Sequence, residues 1–309
     1  MRIIFMGTPD FAVPSLDVVG KEHELLAVVT QPDRPKGRGK KLASPPVKER
    51  ALEYGAQVYQ PERVRNEEFI NIIKEYNPDC IVVVAFGQIL PKELLDIPKF
   101  GCINVHASLL PKYRGAAPIN WAIINGEKTT GVTTMYMDVG LDTGDMILKS
   151  EVEIGNMTAG QLHDVLMVKG ATLLRSTLKE ISEKKAPREK QRDEESSYAP
   201  IMDKKLGEID WNKTNEHIRN LIRGVNPWPS AYSTYDGIKF KIWNGELQDL
   251  DNEKGKNGEI LNVSEEGILV KTAKGALLVN EIQFPNSKRM RVDAYLRGND
   301  LKQGIILGE

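Results

Sequence analysis

Short, almost wholly apolar runs alternate with amphipathic stretches along the first half of the chain. The apolar runs lie at 2–7, 24–31, 80–87 and 101–106. Runs without polar alternation are typical of parallel strands that helices cover on both faces. The stretches 47–55 and 66–77 place apolar residues at helical spacing and end at Gly55 and just before Pro78. This βαβ pattern predicts an α/β fold with a doubly wound, mostly parallel sheet of the Rossmann-like kind.

A long helical stretch and then a different pattern make up the second half. Residues 158–186 have helical spacing, and the polar segment 187–205 is interpreted as a linker. From 206 onward, short alternating strands are separated by Gly and Asn turns, which predicts a small OB-like β-barrel. We therefore expect an α/β domain over 1–186 and a β-barrel domain over 206–309.

The composition is that of an ordinary globular protein. Of the 309 residues, 40% are hydrophobic and 28% are charged. No run reaches the roughly 18 apolar residues that span a membrane, and the first residues read as a strand and not as a signal peptide. Cys80 and Cys102 lie in apolar runs without metal-ligand spacing. They predict buried free thiols, no metal site and a reducing, cytoplasmic location.

Several common motifs are missing from the sequence. The segment FMGTPDF after the first apolar run lacks the G-x-G-x-x-G spacing, so bound NAD is not expected. The sequence contains no P-loop, no H-E-x-x-H and no G-x-S-x-G. Asp138, Asp142 and Asp145 do not have the spacing of a calcium loop.

An asparagine and a histidine lie two residues apart at the end of the run 101–106. Since strand side chains alternate, Asn104 and His106 share one side. An amide donor beside an imidazole fits acyl transfer, with the amide stabilising an oxyanion and the imidazole moving a proton. Asp142, in a Gly-rich loop, is the candidate carboxylate that orients the ring. Spacing alone leaves open that Asn104 caps a turn and His106 is a hydrogen-bonded core residue.

A strongly basic segment lies at 31–50. It holds seven Lys or Arg against two acidic residues in a chain of net charge −1. Its prolines and glycines predict a loop, and its charge favours contacts with phosphates of a nucleic acid or another polyanion. The alternative is a merely solvated loop.

The sequence resembles a known family at several long motifs. The run SLLPKYRGAAPI, with NVH before it and GLDTGDM after it, is similar to the signature of enzymes that use 10-formyltetrahydrofolate as formyl donor. RIIFMGTPDFA, TQPDRPKGRGKKL, VVVAFGQILP, NPWP and the β domain extend the likeness over nearly the whole chain. The chain therefore resembles the 10-formyltetrahydrofolate-dependent formyltransferases, and among them those that act on methionyl initiator tRNA.

The resemblance implies roles for particular residues. Asn104, His106 and Asp142 would be the catalytic trio. The folate site would be lined by Ser108, Leu109, Leu110 and Pro111, and by Gln88, Ile89 and Leu90. The basic loop would contact the acceptor end of the tRNA through Arg38, Lys40 and Lys41. We expect a monomeric cytoplasmic enzyme that needs no metal.

Other functions remain open at this point. The same chemistry could serve a sugar-nucleotide amine or a glycinamide ribonucleotide, or could hydrolyse the formyl folate with water as acceptor. A member of another class would be an RNA-binding protein without activity. The basic loop argues against the small acceptors and the hydrolase, and the intact trio argues against the inactive protein.

Overall fold

Two units make up the part of the chain that the structure describes. The structure is a computed structural model that describes residues 1–36, 41–250 and 255–309. The first unit comprises Met1–Pro118, Thr129–Glu153 and His163–Ala199. The second unit comprises Ile119–Lys128, Ile154–Leu162 and Pro200–Glu309.

The strands fall into two sets that follow this division. Those of the first unit are β1 (Arg2–Gly7), β2 (Glu24–Val29), β3 (Arg34–Lys36), β4 (Lys41–Ala43), β5 (Val58–Tyr59), β6 (Cys80–Val84), β7 (Cys102–His106), β8 (Arg114–Gly115), β9 (Thr129–Tyr136), β10 (Met146–Glu153) and β11 (Tyr198–Ala199). Those of the second unit are β12 (Ala231–Tyr235), β13 (Ile238–Gln248), β14 (Ile260–Ser264), β15 (Gly267–Lys271), β16 (Ala276–Gln283) and β17 (Met290–Arg291).

The helices alternate with the strands in the first half and are sparse later. In chain order they are α1 (Val13–Glu22), α2 (Pro46–Glu53), α3 (Glu67–Tyr76), α4 (Lys92–Leu95), α5 (Pro118–Ile124), α6 (Ala159–Ser182), α7 (Asn215–Gly224) and α8 (Val292–Leu296).

A seven-stranded sheet forms the centre of the first unit. Its strand order is β10-β9-β7-β6-β1-β2-β5. β1 pairs in parallel with β2 and β6, β2 with β5, and β6 with β7, whereas β9 runs antiparallel to β7 and β10. The chain builds outward from β1 to β5 and then returns to add β6 on the other side of β1. The predicted doubly wound, mostly parallel sheet is confirmed.

Burial explains why the apolar runs became central strands. In β1 the side chains on both faces are fully buried, namely those of Ile3, Ile4, Phe5 and Met6. A strand that is buried on both faces does not need alternating polar residues. The sequence of β1 accordingly shows a continuous apolar run.

Local signals set the limits of the predicted helix at 66–77. The Asn66 side chain accepts a hydrogen bond from the Glu68 backbone N–H and caps α3. Asn77 follows the helix in the left-handed conformation, with φ of 46°, and Pro78 then prevents continuation. The apolar face of α3 packs into a core cluster with residues of β1, β2 and β6.

Two further predictions concern thiols and membrane spans. Cys80 and Cys102 are buried and free, as predicted. Burial raises the pKa of Cys102 to about 12, so this thiol stays protonated. Among the helices of 1–36, 41–250 and 255–309, none has the length and apolar character that a membrane crossing requires.

An antiparallel sheet forms the centre of the second unit. Its path is β12-β13-β16-β15-β14, and β17 pairs with β16. The inward-facing side chains of Phe240, Ile242, Val270 and Leu277 are almost completely buried. The predicted antiparallel β domain is thus confirmed, while its OB-like closure into a barrel stays a prediction.

The segment interpreted as a linker is divided between the two units. Residues up to Ala199 belong to the first unit, where β11 pairs in parallel with β8. Residues from Pro200 belong to the second unit. The part 187–199 is therefore built into the first unit and is not a free spacer. The domain limits drawn from the sequence stay a prediction.

Candidate active site

His106 is the last residue of β7, and its ring is held at one nitrogen. The side chain is 6% exposed, and Nε2 lies 2.9 Å from the backbone carbonyl oxygen of Tyr113. Because a carbonyl oxygen only accepts, Nε2 must carry a hydrogen. In the neutral ring, Nδ1 then has the free electron pair, so Nδ1 is the nitrogen available for proton transfer.

Asp142 lies against that second nitrogen. Its Oδ2 is 3.7 Å from Nδ1 of His106 and accepts a hydrogen bond of 2.8 Å from the Gly115 backbone N–H. Its Oδ1 accepts from the Asn104 amide at 3.4 Å. The structure thus brings the three predicted residues together around one carboxylate.

The sheet explains this convergence. Asn104 and His106 point to one side of β7, since they are two residues apart on a strand. β9 is the antiparallel neighbour of β7, and the loop that follows β9 carries Asp142. Asp142 has φ of 52°, a left-handed conformation that Asp tolerates better than most residues. The His106 ring is hydrogen-bonded, as in the core-residue alternative, but its free nitrogen faces a carboxylate.

The sequence did not predict two backbone groups that hold the trio. The Tyr113 carbonyl fixes the ring of His106, and the Gly115 N–H binds the carboxylate of Asp142. Both residues lie in the run SLLPKYRGAAPI, so position in that run was the available signal. Their contacts involve main-chain atoms, which the residue type does not reveal.

The residues expected at the folate site after His106 divide into two kinds. Ser108 is completely buried, and its hydroxyl donates a 2.6 Å hydrogen bond to the Lys112 carbonyl. Leu110 is 1% exposed and packs with two methionines of β9 and β10. These two side chains shape the turn, whereas Leu109 and Pro111 are half-buried and reach the surface.

The residues 88–90, also expected at the folate site, include both buried and exposed side chains. The Gln88 amide donates to the Pro61 carbonyl and accepts from the Val64 N–H, so it braces a neighbouring loop. Leu90 is 3% exposed and belongs to the core. Ile89, in contrast, is 78% exposed. Contact of all these residues with a folate stays a prediction.

Two exposed apolar residues next to Asp142 were not predicted. Val139 and Leu141 are 62% and 51% exposed. Met137, just before their loop, packs on the core cluster that contains Leu90. Exposed apolar side chains beside a polar trio are typical of a small-molecule site.

The basic segment 31–50 is not one loop. Arg38 and Lys40 lie outside the described residues, and Lys41 begins β4. From Pro46 the chain is helical, which corrects the loop interpretation for 46–50.

Lys48 and Arg50, both among the described residues, have carboxylate partners within the first unit. Lys48 lies 2.7 Å from Asp33, and Arg50 lies 2.6 Å from Asp17. Hydrogen bonds from Gln60 and from Lys48 hold the pKa of Asp33 below its usual value. These two cations are engaged in the fold, so the charge offered to a polyanion is smaller than the sequence count.

The described part of the chain contains no cluster of three or more His, Cys, Asp or Glu residues that could hold a metal ion.

Comparison with known proteins identifies the family. Residues 1–178 match the family described as formyl transferase, and residues 201–300 match the formyl transferase C-terminal domain. The chain belongs to the formyl transferase family. The resemblance stated from the sequence is therefore confirmed.

Curated relatives of this formyl transferase match along their whole length. A protein of Clostridioides difficile named methionyl-tRNA formyltransferase is 61% identical over 311 residues, covering 100% of both chains. One of the same name from Alkaliphilus metalliredigens is 58% identical, covering 100% of this chain and 99% of its own.

Solved structures of other proteins share the fold. An N-formyltransferase of Helicobacter canadensis, in complex with folinic acid and dTDP-3-aminofucose, has a TM-score of 0.66 at 22% identity, covering 92% of this chain and 98% of its own. HypX of Aquifex aeolicus, in complex with tetrahydrofolic acid, has a TM-score of 0.60 at 19% identity, covering 96% of this chain and 47% of its own. At these identities the likeness concerns the fold alone.

Proposed function

We propose that this formyl transferase moves the formyl group of 10-formyltetrahydrofolate to the α-amine of methionyl initiator tRNA. The observation that carries the proposal is the match at 61% identity, over the full length of both chains, to a protein named methionyl-tRNA formyltransferase. The trio at the end of β7 supports it, since an amide, an imidazole and a carboxylate are the groups that acyl transfer to an amine requires.

The first step of the proposed reaction is attack of the amine on the formyl carbon. The carbonyl oxygen of the formyl group becomes an oxyanion, and the amine nitrogen becomes positively charged. The Asn104 amide nitrogen carries two hydrogens, of which one points to Asp142. The other donates to the oxyanion, and a donor already in place does not have to reorganise during the reaction.

His106 then transfers the proton. Its Nδ1 has a free electron pair, because Nε2–H is bound to the Tyr113 carbonyl, so Nδ1 takes the proton from the amine. The resulting imidazolium is stabilised by Asp142, 3.7 Å away. The ring next gives this proton to N10 of the folate as the carbon–nitrogen bond breaks. Formyl-methionyl-tRNA and tetrahydrofolate leave, and the enzyme returns to its starting state.

The folate is proposed to lie against the exposed apolar residues beside the trio. Ile89, Val139 and Leu141 offer exposed apolar surface, and a pterin ring is flat and largely apolar on its faces. Leu109 and Pro111, also partly exposed, complete the proposed surface.

Formyl transfer to several acceptors tests the proposal. The protein is supplied with 10-formyltetrahydrofolate and with methionyl initiator tRNA, methionyl elongator tRNA, a dTDP-linked amino sugar, or water alone. We expect transfer to the initiator tRNA at the highest kcat/KM and little release of formate. A faster reaction with the amino sugar, or formate release that needs no acceptor, would reject the assigned substrate.

Variants of the trio test the mechanism in the same assay. Asn104→Ala and His106→Ala should each lower kcat about 10²- to 10³-fold, as expected for loss of an oxyanion donor or proton carrier. Gln57→Ala, at an exposed residue away from the trio, serves as the control and should leave kcat unchanged. More than about a tenth of the original kcat in either trio variant would contradict the assignment.

A further inference from the structure

Residues 187–199, which we call the strap, run alongside the groups that hold the trio. Near its start, Glu189 exchanges two backbone hydrogen bonds with Met146, of 2.8 and 3.0 Å. Arg188 stacks 3.7 Å over the ring of Tyr136. At its end, β11 pairs with β8. The strap is therefore joined to the first unit at both ends, on either side of Gln191.

Gln191 contacts the Asp142 loop directly. Its amide nitrogen donates to the carbonyl oxygens of Asp142 and Gly144, at 2.7 and 2.8 Å. Its amide oxygen accepts from Nε of Arg114 at 3.0 Å. A flipped amide would set an oxygen against two carbonyl oxygens and an NH₂ against a guanidinium, so this orientation is the one that chemistry allows.

These bonds act on a residue with a left-handed backbone conformation. Asp142 has φ of 52°, which a residue with a side chain adopts at a cost. Gln191 binds the carbonyl of that residue and the carbonyl two residues later, so it fixes the direction of the loop on both sides of the bend. The carboxylate position, 2.8 Å from the Gly115 N–H and 3.7 Å from His106, depends on that direction.

The far end of the strap holds the other partner groups. Ser197 accepts hydrogen bonds from the N–H of Tyr113, through its hydroxyl at 2.9 Å, and from the N–H of Arg114, through its carbonyl at 2.8 Å. Tyr113 supplies the carbonyl that binds His106. The strap thus holds both groups that face the His106 ring. These are the Tyr113 carbonyl, which accepts from Nε2, and the Asp142 carboxylate, which faces Nδ1.

We propose that Gln191 is a positioning residue for the transfer step, acting through Asp142. The proposal rests on the proposed function, because the step it affects is formyl transfer. Gln191 does not touch the formyl carbon or the amine. It sets the distance at which the carboxylate stabilises the imidazolium, and displacement of a catalytic group by about 1 Å costs on the order of 10² in rate.

Two substitutions at Gln191 separate hydrogen bonding from packing. Gln191→Ala removes the side chain, and Gln191→Met keeps its length without a donor or acceptor. Each should lower kcat about 10- to 100-fold while the KM values for folate and tRNA stay within about threefold. Gln57→Ala, the same chemical change at an exposed site, is the control. A Gln191→Met protein with unchanged kcat would overturn the proposal.

A double-mutant cycle with Asp142→Asn distinguishes positioning from general support of the fold. If Gln191 acts through the carboxylate, Gln191→Met should have little further effect once Asp142 is an amide, and its pH–rate profile should shift in the same direction as that of Asp142→Asn. Independent, multiplying losses of kcat would mean that Gln191 acts elsewhere, and the proposal would fail.

Amide hydrogen exchange gives a readout that does not need the reaction. The Gly115 N–H is bound to the Asp142 carboxylate, so its exchange should become faster in Gln191→Met and not in Gln57→Ala. Unchanged exchange would overturn the positioning role. If the unaltered chain formylates no methionyl-tRNA but the Gly115 exchange responds as expected, the proposed function fails and the positioning of Asp142 stands.

Discussion

Gly115 is paired with Ala199 of the strap and donates its N–H to Asp142, which makes Gly115→Ala a sharp test of the site. A Cβ at this position would stand 2.7 Å from the Tyr198 ring and 2.8 Å from the Ala199 carbonyl oxygen. Real Cβ contacts are longer, so the backbone must shift. The residue also has φ of 114°, which glycine adopts freely and alanine does not.

The structure supports an approximate magnitude for this substitution. Unfavourable backbone conformation costs about 1–3 kcal/mol and overpacking about the same. To relieve the collision of the added Cβ, either the strap must move away or the Gly115 N–H must lose its hydrogen bond to Asp142. A hydrogen bond to a charged group is worth about 1.5–3 kcal/mol. If that loss is felt in the transition state, kcat falls roughly 10- to 100-fold.

The assays are urea unfolding and steady-state formyl transfer, with Gly55→Ala as the matched control. Gly55 has φ of 64° and nothing within 4 Å of its missing Cβ, so alanine there has the conformational cost without the collision. We expect Gly115→Ala to lose about 2 kcal/mol more stability than Gly55→Ala and to lose kcat, with folate KM little changed. Equal stability of the two variants, together with unchanged kcat, would refute the reasoning.

Three other predictions follow from the described contacts. Asp142→Asn should lower kcat by about 10²-fold and change the pH–rate profile, because an amide cannot stabilise an imidazolium; an unchanged profile would remove the carboxylate from the mechanism. Ile89→Asp should raise the KM for folate at least tenfold and change stability by about 0.5 kcal/mol or less, since the side chain is 78% exposed; an unchanged KM would exclude it from the folate site. Burial raises the pKa of Asp17, but hydrogen bonds from Arg50 and Tyr54 outweigh it and hold that pKa below its usual value. The stability from this pair is therefore present above about pH 4 and lost as pH falls through the lowered pKa. Arg50→Ala should lower the stability at pH 7 with no change in tRNA KM; equal acid sensitivity of variant and parent would contradict this.

The central sheet was predictable because burial on both faces leaves a direct trace in the sequence. β1, β6 and β7 bury consecutive side chains, and consecutive apolar residues are visible without a structure. The same alternation rule placed Asn104 and His106 on one side of a strand. Asp142 was a candidate only as a carboxylate in a Gly-rich loop, because no local spacing shows that a loop following β9 returns to β7.

The strap could not be predicted for a different physical reason. Its composition is polar and charged, which is typical of a linker, and its order comes largely from backbone hydrogen bonds. The N–H of Arg114 and the carbonyl of Ser197 are 83 positions apart, and neither residue type reveals the pairing. Gln191 was overlooked because a glutamine in a charged segment looks like solvated surface.

The motif residues assigned to folate show why resemblance alone does not give a contact. A signature run contains residues that shape a turn and residues that face a ligand, and both kinds are needed to build the site. Ser108 and Leu110 are almost completely buried, whereas Ile89 is largely exposed. Fractional exposure therefore distinguishes the motif residues that could contact a folate from those that are buried in the fold.

The number of basic residues in 31–50 also overstates the charge that this segment can offer to a polyanionic acceptor. Lys48 and Arg50 carry two of the seven positive charges, but each lies within 3 Å of a carboxylate of its own unit. A cation already paired gains little from a phosphate, because the first ion pair must be given up. We therefore expect any contact of this segment with a polyanion to involve the basic residues that precede α2. Substituting those residues should lower the salt dependence of tRNA binding, whereas Arg50→Ala should leave it unchanged.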